Sequence, residues 1–234
     1  MSRGIRLSVL EGRVIAIDGP AGSGKSTTAR LLASMLGYTY LDTGAMYRAV
    51  ALFALQHQID VNDARALEAV AEKVVIFFKL DGDLNRVLLN GEDVTEAIRS
   101  PEVTTAVSPV SAHVGVRRAM VARQREMARD GNVVAEGRDT ASVVFPDADL
   151  KVYLDAAIEE RARRRLIDFA RQGISSSLEE QISLLQKRDR YDSDRTNSPL
   201  IRTHDSVLID TTNLNIEEQV ERIIKLAKAH LKKT

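Results

Sequence analysis

The sequence predicts an α/β fold, a parallel sheet covered by helices on both faces. Three observations carry this. Short β-branched runs recur along the 234-residue chain. Amphipathic helical patterns separate them, and a glycine-rich turn joins the first run to the first helix. Strands that alternate with helices pair in parallel, because each helical crossover returns the chain to the same end of the sheet.

Val14-Ile15-Ala16-Ile17-Asp18 is the first strand, stopped by glycine. A helix follows from Lys25 to about Leu36, with Ala29, Leu32, Ala33 and Leu36 at helical spacing. Gly37 ends it, because glycine enters positive φ without a Cβ clash. Residues 38–41 read as a strand and 45–56 as a helix. Residues 132–136, 150–154 and 206–210 read as further buried strands. The last helix, 216–232, places Val220, Ile223, Ile224 and Ala227 on one face, with lysines near its C-terminal end where the dipole favours cations.

The middle differs. Residues 74–80 and 84–89 read as a hairpin around the turn Asp81-Gly82-Asp83, and Asn90-Gly91 marks a second turn. Residues 98–129 read as mostly helical, interrupted near Pro101 and Pro109. Residues 60–110 are therefore expected to be an insertion into a single domain, 1–234, whose core comprises about 13–59, 111–156 and 176–234.

Composition narrows the function. Lys plus Arg and Asp plus Glu both number 33, so the formal charge is zero, which argues against a general nucleic-acid or membrane-surface binder while leaving room for a locally basic cleft. Aromatic residues make up 4% and Trp is absent, which argues against a row of stacking platforms for single-stranded nucleic acid. The absence of Cys excludes disulfides, thiolate zinc sites and a cysteine nucleophile, and fits a reducing compartment. Residues 1–12 show no signal-peptide pattern, and no run reaches the roughly 20 apolar residues that span a bilayer. A cytoplasmic location and a monomer are the expectations.

Gly19-Pro20-Ala21-Gly22-Ser23-Gly24-Lys25-Ser26 matches G-x-x-x-x-G-K-[ST] at every fixed position and lies between a strand and a helix. Its backbone N–H groups can turn inward on phosphate oxygens, and the helix adds its positive end. Residues Gly19, Pro20, Ala21, Gly22, Ser23, Gly24, Lys25, Ser26 and Thr27 are thus assigned to a nucleoside triphosphate. Lys25 would reach the β- and γ-phosphates, and the Ser26 hydroxyl would hold Mg²⁺. The guanine-reading Asn-Lys-x-Asp and the Ser-Gly-Gly-Gln signature of transporter ATPases are both absent, which leaves a small-molecule kinase favoured.

A second cluster suggests an acceptor site. Leu41 to Arg48 follows the second strand, where loops at strand carboxyl ends form the ligand crevice of open α/β sheets. Thr43 also reads as a helix cap, and Arg48 as a solvated charge. Glu136-Gly137-Arg138-Asp139 ends a later strand; Arg138 suits a phosphate, and Asp139 accepts from an amino group. Arg188, Asp192 and Arg195 share a helix face, and the bland alternative is a surface ion pair of ~0.3–0.5 kcal/mol. Arg161, Arg164 and Arg165 share another face and could neutralise charge on a transferred phosphoryl group. Asp81, Asp83, Asn85 and Glu92 have calcium-loop spacing, but Arg86 stands where that loop needs glycine. His57, His113, His204 and His230 are scattered, without ligand spacing.

These pieces together resemble the bacterial cytidylate kinase family, within the nucleoside monophosphate kinases. The resemblance runs from about Val14 into the C-terminal helix. It rests on residues 17–26, Leu41 to Arg48, Asn90-Gly91-Glu92-Asp93-Val94, Gly137-Arg138-Asp139, residues 143–148, Arg188-Asp189, Asp192-Ser193 and Pro199-Leu200. It implies a P-loop kinase core with a five-stranded parallel sheet, a lid at about 157–175 and an enlarged monophosphate-binding insertion. It also implies direct transfer of the ATP γ-phosphate to CMP or dCMP. By matching position, Arg48, Arg138, Arg188 and Arg195 would hold the acceptor phosphate, with Thr43 beside them. Ser108, Arg117 and Asp139 would read cytosine, and Asp192 the sugar. Lys25, Arg138, Arg161 and Arg165 would act in transfer. The sequence departs from the family pattern at Ala141, where the family usually has glycine. The rivals are a kinase for shikimate, gluconate or another nucleotide, and a regulatory ATP-binding module without an acceptor.

Overall fold

The computed structural model describes residues 12–81, 84–171 and 173–231. In chain order the elements are β1 (Val14–Asp18), α1 (Lys25–Leu36), β2 (Thr39–Asp42), α2 (Thr43–Gln56), α3 (Ala64–Lys73), β3 (Ile76–Asp81), β4 (Leu84–Leu89) and β5 (Glu92–Asp93). A 3₁₀ turn (Ala97–Arg99) leads into α4 (Pro101–Ala112), α5 (Val114–Met127) and β6 (Val133–Gly137). A π-helical turn (Thr140–Val144) precedes β7 (Leu150–Asp155), α6 (Ile158–Arg171), α7 (Leu178–Asp194), β8 (Val207–Asp210) and α8 (Ile216–Leu231).

The five-stranded sheet runs β2-β6-β1-β7-β8, and β1/β6, β1/β7 and β7/β8 pair in parallel, as predicted. β6 is buried along its whole length, as an interior strand of a parallel sheet is expected to be. α1 packs on β6 and against α8, and α6 packs against α7. The strand order changes direction at β1, and such a switch opens a crevice at the strand carboxyl ends.

The chain divides into two compact units, one reaching to Thr39 and resuming at Gly131, the other Tyr40–Asp130. The second holds the antiparallel sheet β3-β4-β5 and the helix pairs α2/α4 and α3/α5. β3 and β4 form the predicted hairpin in register from Ile76↔Leu89 to Asp81↔Leu84. Gly82 and Asp83 of the predicted turn lie outside the described residues, as does Lys232 at the predicted end of the last helix.

One expectation fails. Pro109 does not interrupt a helix but lies inside α4, and the chain bends instead at His113 (φ −69°, ψ 126°). There the ring Nε2 lies 2.8 Å from the Val61 carbonyl oxygen, which gives the extended residue a side-chain anchor. Pro101 sits in the first turn of α4, behind a Ser100 cap, where proline's missing N–H costs nothing.

Candidate active site

The phosphate loop is shaped by the close approach of neighbouring backbone. A Cβ on Gly19 would stand 2.1 Å from the Leu154 carbonyl oxygen, so only glycine fits there. Gly24 caps α1 at φ 92°, a left-handed conformation that starts the helix directly under the loop. Lys25 is buried, and its Nζ donates to the Pro20 carbonyl 3.1 Å away, folding the side chain back over the loop. Ala21 packs into a small apolar cluster with Ala162 and Leu185, backed by Ile158, Leu178 and Ile182, so α6 and α7 brace the loop from behind. Thr27 is exposed in the first turn of α1.

Further contacts tie the loop down. Arg161 donates to Ala21 O at 3.2 Å, to Ala156 O at 3.1 Å and to Asp189 Oδ2 at 2.7 Å. Arg164 donates to Thr211 O at 2.6 Å, and the Thr211 hydroxyl donates to Ser23 O at 2.9 Å. Arg165 lies on the Phe169 ring and donates to Gln181 at 3.4 Å; burial lowers its pKa below the usual guanidinium value.

Arg138, Arg188, Asp192 and Arg195 come together as one cluster. Asp192 is 5% exposed, and its carboxylate lies 2.9 Å from Arg138 Nε, 3.8 Å from Arg188 Nε and 3.9 Å from an Arg195 guanidinium nitrogen. Burial pushes the Asp192 pKa up, but the three guanidiniums outweigh it and hold the pKa below the ordinary value. Conversely, burial opposes the charge on Arg138, and Asp192 more than restores it. Three guanidiniums thus converge on one side of the sheet's carboxyl end, and their planar donor forks suit an anionic ligand with fork-like phosphate contacts. The bland alternative of an exposed surface pair does not describe this buried cluster.

In the second unit, Asp42 rather than Thr43 caps α2, accepting from Ala45 N at 2.8 Å, and Thr43 is a buried first-turn residue. Arg48 is half-buried and donates to Thr104 Oγ1 at 3.0 Å and Ile98 O at 3.3 Å, so it is not a solvated charge. Ser108 is half-buried on α4. Arg117 is buried, lies 5.1 Å from the Tyr47 ring centre and donates to Ser111 O at 3.1 Å.

Sequence reasoning misses two carboxylates. Glu136, at the end of β6, is buried and accepts from the Ser26 hydroxyl at 2.7 Å. Asp18, at the end of β1, is 1% exposed and accepts from Thr140 N at 2.9 Å and Ala141 N at 2.7 Å. Burial pushes the Asp18 pKa to about 6, against the opposing pull of those two amides. The available signal was position: both acids end strands beside the glycine loop. Asp139 is buried where β6 leaves the sheet, and its carbonyl accepts from Val143 N and Val144 N. Ala141 is buried in the π-helical turn and needs no positive φ, so the departure from glycine leaves this turn intact.

Comparison with known proteins comes down on one family. A family profile described as cytidylate kinase matches residues 15–229. A cytidylate kinase of Geobacillus is 46% identical over 217 residues, covering 93% of this chain and 97% of the relative. One of Enterococcus faecalis is 48% identical over 214 residues, covering 92% and 95%. Among solved structures, an uncharacterised protein from Eubacterium ventriosum shares the fold at a TM-score of 0.50 and 12% identity, covering 93% of this chain and 99% of that one.

Proposed function

The chain belongs to the cytidylate kinase family, and from that premise we propose that it transfers the γ-phosphoryl group of ATP to CMP or dCMP, giving ADP and the corresponding diphosphate. The observation that carries the acceptor half is the buried arginine cluster around Asp192, a set of charges suited to a phosphate monoester. Residues Gly19 to Thr27 bind the triphosphate, with Lys25 supplying charge at the β- and γ-phosphates. Arg138, Arg188 and Arg195 hold the acceptor phosphate, assisted by Arg48 with Thr43. Asp192 takes the sugar hydroxyl while keeping the guanidiniums aligned.

Cytosine is read by complementary donors and acceptors. Its exocyclic amine donates to Asp139, and N3 and O2 accept from Arg117 and Ser108. Uracil reverses the donor pattern at positions 3 and 4, so Asp139 would face an acceptor, a mismatch that is costly when buried. Transfer is direct. An acceptor phosphate oxygen forms a bond to the γ-phosphorus as the bond to the β,γ-bridging oxygen breaks, and the electron pair leaves with ADP. The attacking oxygen is already an anion, so alignment and charge neutralisation suffice. Arg161 and Arg165 contribute to that neutralisation, and closure of residues 157–175 excludes water.

Ser26 and Glu136 fit Mg²⁺: a hydroxyl and a carboxylate oxygen, both hard donors, lie 2.7 Å apart at the start of α1 and the end of β6. Bound there with the triphosphate, Mg²⁺ supplies charge neutralisation on phosphate oxygens. The enzyme acts as a monomer on free nucleotides in the cytoplasm, with neither nucleic acid nor membrane as partner; the zero formal charge supports the lack of nucleic-acid and membrane partners, and the lack of Cys a reducing compartment.

ADP release from MgATP, measured against CMP, dCMP, UMP, AMP, shikimate and gluconate, tests the assignment. CMP and dCMP are expected to stimulate release most. A preference for shikimate or gluconate would overturn the reading, as would ATP turnover unaffected by any acceptor. Lys25→Ala is expected to lower CMP turnover by roughly 10³-fold, the scale of losing one strong transition-state contact.

A further inference from the structure

The geometry points to Asp18 as a positioning residue for base selection: its carboxylate holds the segment carrying Asp139 in register through two successive backbone amides. This rests on the reading of Asp139 as a cytosine contact.

Asp18 ends the central strand, and its pairing with Gly137 of β6 sets the two strand ends level. Its side chain can therefore reach the loop that leaves the neighbouring strand. Both oxygens are used, Oδ1 by Thr140 N at 2.9 Å and Oδ2 by Ala141 N at 2.7 Å. Those amides open the π-helical turn immediately after Arg138 and Asp139. The turn closes on itself as well, with Val143 N donating to Asp139 O at 2.9 Å and Phe145 N donating to Thr140 O at 2.7 Å. Asp139 is thus followed by a segment fixed at both ends, and it cannot move far without breaking a charge-assisted bond.

A buried carboxylate is an expensive way to fill this position. The groups acting most on Asp18 are the two amides, the Thr140 hydroxyl and the repelling Asp139. A carboxylate nevertheless offers what an amide side chain cannot, two acceptors side by side. In Asp18→Asn one acceptor remains, and the new NH₂ faces a backbone N–H. The competing possibility is that Asp18 only supports the phosphate loop, which begins at the next residue. The two differ in which substrate they affect.

Steady-state kinetics of the full-length Asp18→Asn enzyme separate them. The KM for CMP is expected to rise by about tenfold, and the preference for CMP over UMP to fall by a similar factor, with the KM for ATP within about twofold of wild type. Equal increases in both KM values, or an unchanged CMP-over-UMP preference, would overturn the inference. Hydrogen exchange of the wild-type Thr140 and Ala141 amides gives a second measurement that needs no variant. Exchange is expected to slow on addition of CMP and to change little with ADP; equal slowing by ADP would assign Asp18 to the phosphate loop. A wild-type enzyme that fails to use CMP would sink the cytidylate reading itself, whereas normal CMP use without this split would sink only the role of Asp18.

Discussion

Asp18 and Asp192 are both buried carboxylates at the ends of secondary-structure elements, and they are stabilised in opposite ways. Asp18 is held by backbone amides, which only partly offset burial, and its pKa rises to about 6. Asp192 is held by three guanidiniums, which more than offset burial, and its pKa falls. The difference teaches that dipoles fix geometry well but support a buried charge poorly, whereas cations do both. It also separates two kinds of site. On the proposed reading, the ligand groups around β1 are chiefly backbone, shaped by glycine, and those around the end of α7 are chiefly side chains, held by charge.

The sharpest way to break this comparison is to remove Asp192. Asp192→Ala leaves three mostly buried guanidiniums without their shared counter-ion and is expected to cost about 3–5 kcal/mol in urea unfolding. A loss below 1 kcal/mol would show that groups other than Asp192 support them. The pH dependence comes next. Because the folded pKa of Asp18 lies above its unfolded value of 3.8, the folded state binds the extra proton between pH 4 and 6. Stability therefore falls as pH rises through that window, by about 3 kcal/mol for this group. Asp192 has the opposite sign: its contribution is present above the unfolded pKa and is lost as pH falls through the lower folded one. Asp18→Asn should flatten the pH 4–6 segment of the stability curve, and an unchanged slope would contradict the assignment.

A smaller effect tests what the positioned loop achieves. Asn in place of Asp139 can turn its amide to donate to uracil, so Asp139→Asn should reduce CMP-over-UMP preference by roughly 10²-fold. Unchanged preference would remove Asp139 from base reading. The smallest expected change is at the backbone-built end. Ser26→Ala removes one hydroxyl and its hydrogen bond to Glu136, worth about 1 kcal/mol, and should raise the Mg²⁺ concentration for half-maximal rate by about fivefold. An unaltered Mg²⁺ titration would take Ser26 out of cation binding.

The same contrast explains what could be read in advance. The glycine loop is contiguous in sequence, and its residue types follow from backbone conformation alone, so both its place and the strand–helix units around it were legible. α1 spans Lys25–Leu36 and ends at Gly37 with φ 70°, as its pattern predicts. α2 begins two residues before the expected start, because Asp42 supplies the cap. Pro109 was misread because a proline inside a helix removes one N–H without forcing a break, and the bend went instead to His113. The partnerships of Asp18 and Glu136 were not legible, since they form with residues 122 or more and 110 positions away. Nothing local distinguishes a strand-ending acid that binds a neighbouring loop from one that faces water. The convergence of Arg138 on Asp192, 54 residues apart, was suggested by the family resemblance and not by periodicity.

Isotope transfer tests the central claim most directly. With MgATP carrying a chiral, isotopically labelled γ-phosphoryl group, and CMP as acceptor, the label should appear in the terminal phosphate of CDP with inverted configuration at phosphorus. Retention of configuration, label held on the protein, or release of the label as inorganic phosphate without CDP would contradict direct transfer between the two nucleotides.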